Sequence, residues 1–507
     1  MNFINFLLAL SPIIIVLAGI LAFKKPAMKV APIALAWTIV LAFTYFNVTD
    51  ASFKENLATY DPLLWKGIKE GAKIVAMVFG AFVILNILKK TGAMEDVKNT
   101  VAKISDDRRV QLIIIGLMVP IFLEGAAGAG APAAIAAPFL VALGFEPMTA
   151  IAVALLGDAT PCSWGGAGLT TITGGAALVS SGISTSALNS AMVGRIHMFG
   201  VLAIPFIMIA IAFGRKGFKG IVPYLAYAGV TTGTVMFALS NFVGPEVTSM
   251  GTGIISILLS VAYVKIFKIK TPEEFRYEYP ENVEKKYGAF KALSPYIYMM
   301  VLLPVIRYTV DLKILTVFGY IVWVDCVIII CGMLGAATLG VSRKEYGEVC
   351  SATLKNIFPV LITMGSLLIV SYIMQSSTTG MMSLIANDIA DLAGTLYPAA
   401  AVLIGASGSF VTGTGLGSNI MFADMHIDAA QALEMNPITV FAGQNAGASL
   451  GNLICPNNTV AACATVGQVG NESKVMKKSL VAFGIILVIY MVLTMLYTLI
   501  VFPNFGM

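Results

Sequence analysis

Long stretches without charged residues dominate this sequence. About ten windows of some 20 residues carry few or no charges, and each is long enough to cross the hydrocarbon core of a bilayer as a helix. Two examples are residues 6–23, FLLALSPIIIVLAGILAF, and residues 480–502, LVAFGIILVIYMVLTMLYTLIVF. The chain has 507 residues, of which 58% are hydrophobic and 12% are charged. The windows do not alternate as barrel strands do. We therefore predict an all-α polytopic membrane protein.

Lysine and arginine are concentrated in some of the loops. They follow a predicted span at residues 24–29, surround an amphipathic stretch at 89–109, and follow another span at 215–219. Residues 178–190 and 376–394 contain neither. By the positive-inside rule, the basic loops lie in the cytoplasm. We expect a multi-pass protein of the cell (plasma) membrane with extracellular N- and C-termini.

Two parts of the sequence resemble each other. Residues 91–105, TGAMEDVKNTVAKIS, match residues 379–394, TGMMSLIANDIADLAG, at an offset of 379 − 91 = 288. Four pairs match at an offset of 290, namely Gly125 with Gly415, Pro147 with Pro437, Thr149 with Thr439 and Gly157 with Gly447. The region around the first copy is rich in cations and the second copy has none, so the two halves have opposite orientations. We predict inverted repeats at 1–215 and 291–507, joined at 216–290 by two linking spans and a cytoplasmic loop.

Each predicted repeat contains two interrupted apolar segments. In the first repeat, a re-entrant hairpin at about 110–143 turns at EGAAGAG, and a broken helix at about 148–178 contains GDATPCSWGGAG. In the second, the hairpin at about 400–435 turns at SGSFVTGTGLGSN, and the broken helix at about 438–470 contains NAGASLGNLICPNNT. Close helix packing through Gly and Ala is one explanation. Inverted repeats with broken helices are, however, typical of secondary transporters, which bind substrate where the half-helices meet.

Charged residues inside the apolar segments are candidates for function, because an ionised group at the bilayer centre is costly. We predict that Glu124 and Asp158 couple a proton or another ion to transport, with structural capping as the alternative. Arg195 is a candidate partner of a substrate carboxylate or of Glu124, unless it snorkels to the headgroups. Asp325 is either a structural or a pathway residue, and His197 has no assigned role. A solvated turn is predicted for Asp424, His426 and Asp428.

Signatures of enzymes and of cofactor binding are absent from the sequence. There is no G-x-x-x-x-G-K-[ST] phosphate loop, so ATP-driven transport by this chain is not expected. The six cysteines have no metal-ligand spacing, and the chain has only two histidines. The net charge of +5 is explained by cytoplasmic loops and does not indicate nucleic-acid binding. We predict a protein that is not an enzyme, has no cofactor and no metal, and has a small carboxylate and the lipid bilayer as its partners.

Two pairs of motifs resemble the lactate permease family of bacterial and archaeal carriers. FLEGAAGAGAPAAIAAPFLVALGF with DATPCSWGGAG is similar to the first-half signature of that family, and FVTGTGLGSNIMF with NAGASLGNLICPNNTVAACATVGQVGNE is similar to the second. The resemblance covers essentially the whole chain and implies about 12 transmembrane helices and transport of lactate, or in relatives glycolate, usually with H⁺. The substrate-binding residues that it implies are Gly125, Gly128, Gly130, Thr160, Ser163, Thr412, Thr414, Ser418, Asn419, Asn445, Ser449, Asn452, Asn457 and Asn458.

Two positions depart from the family pattern. Relatives commonly have Asn where this chain has Asp158, and some have an acid in the second hairpin where this chain has Thr414-Gly415. We predict a lactate:H⁺ symporter in which the hairpins and broken helices move, as in an elevator, against the outer spans. The alternatives are a Na⁺-coupled carrier of another small carboxylate and a passive anion channel. A homodimer is compatible with the sequence.

Overall fold

The chain is helical throughout the part that the structure describes. The computed structural model describes residues 3–46, 53–126, 128, 131–277, 286–310 and 323–506. Within these ranges there is no β-strand, and one isolated bridge joins Asp107 to Arg276. Eight helices in these ranges are long and apolar enough to cross a membrane. The prediction of an all-α polytopic membrane protein is confirmed, whereas the count of 12 spans stays a prediction.

The N-terminal part consists of two apolar helices, one long helix and one short helix. Their bounds are α1 (Phe3–Leu17), α2 (Ala27–Thr44), α3 (Phe53–Thr91) and α4 (Ala93–Ala102). Helix α1 continues into a π-helical turn, Ala18–Ala22. Helix α3 is 39 residues long. It contacts α2 through Tyr60, whose hydroxyl donates to the carbonyl of Ala42 at 3.2 Å, and it packs against later helices of the chain.

A helical hairpin, called hairpin one below, comes next. Its first arm comprises α5 (Arg108–Ile113), a π-helical turn (Ile114–Met118) and α6 (Val119–Ala126), and its second arm is α7 (Ala131–Ala142). The first arm is buried almost along its whole length. At its base, Arg109 forms a fully buried ion pair of 2.6 Å with Asp107, and the guanidinium also donates to the carbonyl of Lys219 at 2.7 Å. The base of the hairpin is therefore held by a later loop.

A broken helix follows hairpin one. Its pieces are α8 (Pro147–Asp158), a 3-10 turn (Pro161–Trp164), α9 (Gly165–Gly174) and α10 (Ala176–Ser180). Helix α8 begins after Glu146, whose carboxylate accepts hydrogen bonds from the backbone N–H groups of Met148 and Thr149. It ends shortly before Pro161, which has no N–H to continue the ladder. Helix α11 (Ser186–Phe213) then runs as one continuous helix.

Two helices link the two halves of the chain, and the second of them covers hairpin one. They are α12 (Val222–Phe242) and α13 (Pro245–Phe267). Ser249 of α13 donates to the carbonyl of Ile121 at 2.6 Å. A Cβ atom on Gly253 would lie 2.4 Å from the backbone nitrogen of Phe122, so α13 contacts the hairpin backbone directly.

The second half of the chain contains another hairpin and another broken helix. The helices are α14 (Ala289–Thr309), α15 (Trp323–Thr338), α16 (Arg343–Gln375), α17 (Met381–Ala393), α18 (Tyr397–Thr412), α19 (Gly415–Ala432), α20 (Pro437–Gly451), α21 (Pro456–Thr465) and α22 (Glu472–Leu496). Helices α18 and α19 form hairpin two, which turns at Gly413 with a φ of 77°, a value that favours glycine. Thr414 then caps α19 by accepting from Gly417 N–H.

Each broken helix packs backbone to backbone against the first arm of a hairpin. A Cβ atom on Gly157 would lie 1.9 Å from the carbonyl oxygen of Gly116, and one on Gly447 would lie 2.0 Å from that of Val402. Any larger residue at either position would push the helices apart. The two glycines therefore fix the position of each break relative to its hairpin.

Candidate functional site

The two helix breaks contact each other. Ser449, near the end of α20, donates to the carbonyl of Ala159 at 2.6 Å and to that of Thr160 at 3.1 Å. Asn452 donates from Nδ2 to the thiol of Cys162. All five residues are buried. Polar groups freed by the break in one half are thus satisfied by the other half.

Glu124 and Asp158 lie against each other beside the first break. They are 1% and 2% exposed, and their carboxyl groups are in hydrogen-bonding contact. The thiol of Cys162 also contacts Glu124. A Cβ atom on Gly165 would lie 2.1 Å from Glu124 Oε1, so glycine leaves the room that the carboxyl needs. Two buried carboxylates in contact would repel strongly, and a proton held between them removes that repulsion.

A left-handed turn separates the 3-10 turn from the regular part of α9. Gly166, Ala167 and Gly168 have φ values of 58°, 59° and 82°. Alanine rarely adopts this conformation, which costs it on the order of 1 kcal/mol. The tip of hairpin one fits against the turn, since a Cβ atom on Gly128 would lie 2.9 Å from Gly166 N. The strained turn and the hairpin tip therefore depend on each other.

Ser163 connects the first break to two further helices. Its hydroxyl lies 2.7 Å from His197 Nε2 on α11 and donates at 3.4 Å to the carbonyl of Asn445 on α20. His197 Nδ1 lies 2.7 Å from the hydroxyl of Tyr490 on α22, and Tyr490 in turn hydrogen-bonds to Thr160. The histidine is fully buried. Through these two contacts, the imidazole of His197 joins the first break to α11 and α22.

Hairpin two is joined to the second broken helix by a polar network. Gln444 Nε2 donates to Ser418 Oγ at 2.9 Å, and Gln444 Oε1 lies 2.9 Å from His426 Nε2. Asn419 reaches the first half and donates to the carbonyl of Thr170 at 3.3 Å. The prediction of a solvated turn is wrong for His426, because α19 continues to Ala432 and buries the ring completely.

The tip of hairpin two lies against the beginning of α21. A Cβ atom on Gly413 would lie 2.8 Å from Asn457 Nδ2. Asn457 is 3% exposed, and its Oδ1 has no hydrogen-bond partner among the described residues. Asn458 donates to the carbonyl of Asn452 at 3.4 Å, and Thr412 donates to that of Thr414 at 2.8 Å. Asn457, at the beginning of α21, thus has a buried hydrogen-bond acceptor without a donor among the described residues.

Several predicted residues lie away from this cluster or outside the description. Gly125 faces the linking helices, since a Cβ there would lie 2.4 Å from Met250 N. Gly130 lies outside the described residues. Asp325 is buried in α15 at 3% exposure.

The guanidinium of Arg195 contacts aromatic rings. Its Cζ lies 4.8 Å from the ring centroid of Phe505 and 5.4 Å from that of Phe502. Both rings belong to the C-terminal segment. Contacts of this kind hold a cation in place near the end of a span. The guanidinium also lies 5.8 Å from the ring centroid of Phe237 on α12, so its described contacts are with aromatic rings and not with Glu124.

Residues that the sequence analysis did not select complete the cluster. They are Cys162, Thr171, Gln444 and Tyr490. Cys162 lies inside the Gly- and Pro-rich motif GDATPCSWGGAG, so its position at a helix break could be predicted from its neighbours in the sequence. Tyr490 lies in an apolar run of α22, and no local pattern indicates its role, because its partner His197 is 293 residues away.

A charged contact joins the beginning of α8 to α22. Lys478 Nζ lies 3.2 Å from Glu146 Oε2 and donates to the hydroxyl of Thr149 at 2.7 Å. Partial burial raises the pKa of Glu146, but hydrogen bonds from Thr149, from Met148 N–H and from Lys478 outweigh it, so the pKa is lowered. The ionised carboxylate is therefore the form that caps α8.

Comparison with known proteins assigns the chain to a family. The model of the family described as L-lactate permease matches residues 5–316 and 302–502. The chain is 27% identical to an L-lactate permease of Bacillus subtilis over 80% of each chain. It is 25% identical to the glycolate permease GlcA of Escherichia coli, over 97% of this chain and 96% of that one. An L-lactate permease of Salmonella typhimurium is 25% identical over 88% of each chain.

Two solved transporter structures also align with the chain. One is Neisseria gonorrhoeae MtrF, whose structure is said to illuminate a class of antimetabolite efflux pumps, with 11% identity over 94% of this chain and 95% of that one and a TM-score of 0.38. The other is the Alcanivorax borkumensis YdaH transporter, with 13% identity over 92% and 98% and a TM-score of 0.39. At these TM-scores, neither structure defines the fold of this chain.

Proposed function

Because the chain belongs to the L-lactate permease family, we propose that this multi-pass membrane protein is a secondary active transporter of lactate, and of glycolate or related small 2-hydroxy monocarboxylates, coupled to H⁺. One observation carries the proposal: two helix breaks, one from each half, meet beside a buried pair of carboxyl groups. Broken helices of this kind form the substrate and ion sites of secondary transporters.

The contacts between the halves support an inverted repeat. Ser449 contacts Ala159 and Asn452 contacts Cys162, and both pairs are separated by 290 positions. Tyr490 lies against Gly200 at the same separation, 490 − 200 = 290. This is the offset found in the sequence between matching residues. When two units are related by a two-fold axis, equivalent residues touch only near the axis, so the three pairs support an axis running through the breaks.

Packing of the outer helices has the same symmetry. Helix α2 packs against α16, and α15 packs against α3. Helix α1 packs against α17, and α14 packs against α4. Exchanging the two halves turns the contact of α2 with α16 into that of α15 with α3. It likewise turns the contact of α1 with α17 into that of α14 with α4. In the proposed transport cycle, these outer helices form the scaffold against which the hairpins and broken helices move.

The carboxyl pair provides the coupling in this proposal. Lactate is an anion, and an anion crossing the bilayer without compensation carries the full cost of a buried charge. A proton held between Glu124 and Asp158 makes the loaded transporter more nearly neutral, so the substrate and the proton cross together. The empty carrier returns after the proton has left on the other side. Na⁺ in place of the proton is the alternative that the experiment below separates.

The proposed orientation has both termini outside the cell. The beginning of α22 lies beside the base of hairpin one, where Lys478 meets Glu146. Its far end lies beside the base of hairpin two, where Asn436 donates to the carbonyl of Phe505 at 2.9 Å. The first of these sides carries the lysine- and arginine-rich loops, which favours the cytoplasm.

Transport by the purified protein in liposomes tests the proposal. Labelled lactate should accumulate when the pH outside is lower than inside, in liposomes with the membrane potential clamped and no Na⁺ present. Accumulation that requires a Na⁺ gradient and ignores pH would replace the proton by Na⁺. Saturable counterflow of labelled lactate is expected of a carrier, whereas large unitary currents would indicate a channel.

A further inference from the structure

A narrow apolar cavity opens beside the tip of hairpin two. It lies between α1, α16, the end of α18 and the beginning of α21. Its walls include Ile13, Val16, Val370, Met374, Phe410 and Val411. Among the described residues that line it, Asn457 is the only one with a polar side chain. The cavity is narrow and holds about one water-sized group, which is also the size of a methyl group.

Asn457 combines a polar end with this apolar space. It starts α21, so its amide lies at the positive end of a helix dipole. Its Oδ1 is buried and accepts no hydrogen bond from the described residues. A buried amide oxygen without a donor is costly, which indicates a donor supplied by a ligand. A hydroxyl group is such a donor.

We propose that this cavity is the subsite for the side chain of a 2-hydroxy monocarboxylate, with Asn457 Oδ1 accepting a hydrogen bond from the 2-hydroxyl group. The hydroxyl and the side chain are attached to the same carbon, so their binding groups must be adjacent. The cavity and Asn457 meet this requirement because Asn457 forms part of the cavity wall. The inference rests on the proposed transport of such acids and specifies what limits their size.

The size of the cavity predicts the order of substrates. Lactate places its methyl group in the cavity, whereas glycolate has only a hydrogen there and leaves it empty. A missing methyl group in an apolar pocket lowers specificity by about tenfold. A branched side chain, as in 2-hydroxyisovalerate, is too large for the space. We expect lactate to be preferred over both acids.

Two substitutions change the cavity in opposite directions. Val411→Ala enlarges it and should raise uptake of 2-hydroxybutyrate relative to lactate by about tenfold. Val16→Leu fills it and should lower uptake of lactate more than uptake of glycolate. Val402→Ala is the matched control, since Val402 is buried on the same helix as Val411 but does not line the cavity.

The measurement is the ratio of initial uptake rates for the four acids in liposomes, for the wild type and each variant. Ratios corrected for protein amount are insensitive to partial loss of folded protein. Cavity variants with the wild-type ratio would overturn the inference while leaving lactate transport intact. A wild-type protein that carries neither lactate nor glycolate would instead overturn the proposed function.

Discussion

At the scale of single residues, the two buried carboxyl groups are chemically similar but stand in different elements. Glu124 is near the end of the first arm of hairpin one, and Asp158 ends the first piece of the broken helix. The resemblance of the sequence to the family implies an uncharged Asn at the position of Asp158. We therefore assign the larger share of coupling to Glu124, with Asp158 as its hydrogen-bonding neighbour.

Replacing Glu124 by Gln should separate transport from proton coupling. Uptake driven by a pH gradient should fall by roughly tenfold or more, because the linkage between proton and substrate is lost. Exchange of internal for external lactate needs no net proton movement and should persist. Asp158→Asn should have the smaller effect on the same two assays.

Glu472→Gln is the control for this pair. Glu472 is also buried, but it accepts from Gly470 N–H at 2.8 Å at the beginning of α22 and serves as a structural group. Its replacement should leave the pH dependence of uptake unchanged. Equal loss of pH-driven uptake in Glu472→Gln and Glu124→Gln would contradict the assignment.

His197→Leu should destabilise the protein. The substitution leaves the hydroxyl groups of Ser163 and Tyr490 without their buried partner, which costs about 1–3 kcal/mol. Thermal unfolding of the detergent-solubilised protein measures the effect as a lower midpoint. Tyr490→Phe removes one of the two contacts and should have a smaller effect, and the two losses should not add. Fully additive losses would mean that the ring does not link the two hydroxyl groups.

At the scale of helices and hairpins, the breaks are where local sequence signals are strong. Helix α8 ends at Asp158 and α20 ends at Gly451, both within the Gly- and Pro-rich stretches that stand out in the sequence. Proline and glycine interrupt helices through their own backbone conformation, so the breaks can be predicted from the sequence alone. The partners of His426 come from α18 and α20, and no local pattern reports them.

The walls of the cavity beside Asn457 could not be predicted from the sequence either. These walls come from α1 and from α16 and α18, and α1 is hundreds of residues from the other two helices in the chain. Asn457 could be selected from the sequence through a family resemblance. The apolar neighbours were indistinguishable from other residues of apolar spans, because only the packing of the helices decides which of them face the cavity.

Capping of α8 by Glu146 predicts a pH dependence of stability. The pKa of this carboxyl is lowered in the folded protein, so its contribution is present above the unfolded value of about 4.5 and is lost as the pH falls through the lower folded value. The wild type should therefore be more stable than Glu146→Gln at pH 7. The difference should shrink as the pH falls below about 4.5 and disappear once the pH is below the lowered folded pKa of this carboxyl.

Thermal unfolding of both proteins across this pH range checks the prediction. Glu434→Gln is the control, since Glu434 is exposed and its carboxylate caps no helix among the described residues. A difference between wild type and Glu146→Gln that stays constant down to pH 3 would exclude ionisation of this carboxyl as the cause.

At the scale of the whole molecule, the orientation of the two sides is the property most easily tested. Ser180 is the last residue of the first broken helix and Lys216 follows α11, and both are exposed. In the proposed orientation, Ser180 faces outside and Lys216 faces the cytoplasm. A membrane-impermeant maleimide should label Ser180→Cys in intact cells.

Lys216→Cys should be labelled only after the cells are permeabilised. The wild-type protein, with its six native cysteines, gives the background. Labelling of Lys216→Cys in intact cells without labelling of Ser180→Cys would reverse the orientation. Equal labelling of both variants in intact cells would rule out the placement of α11 across the membrane.

The contacts at an offset of 290 have a further meaning. At the axis of a symmetric homodimer, each residue would face its own copy. Here Gly200 faces Tyr490, Ala159 faces Ser449, and Cys162 faces Asn452. In each pair, the larger side chain belongs to the second half, and the ring of Tyr490 occupies the space that Gly200 leaves. Two copies of Gly200 would meet with a gap, and two copies of Tyr490 would collide. In the proposed inverted repeat, the two halves are therefore complementary at these positions, and neither half can replace the other there.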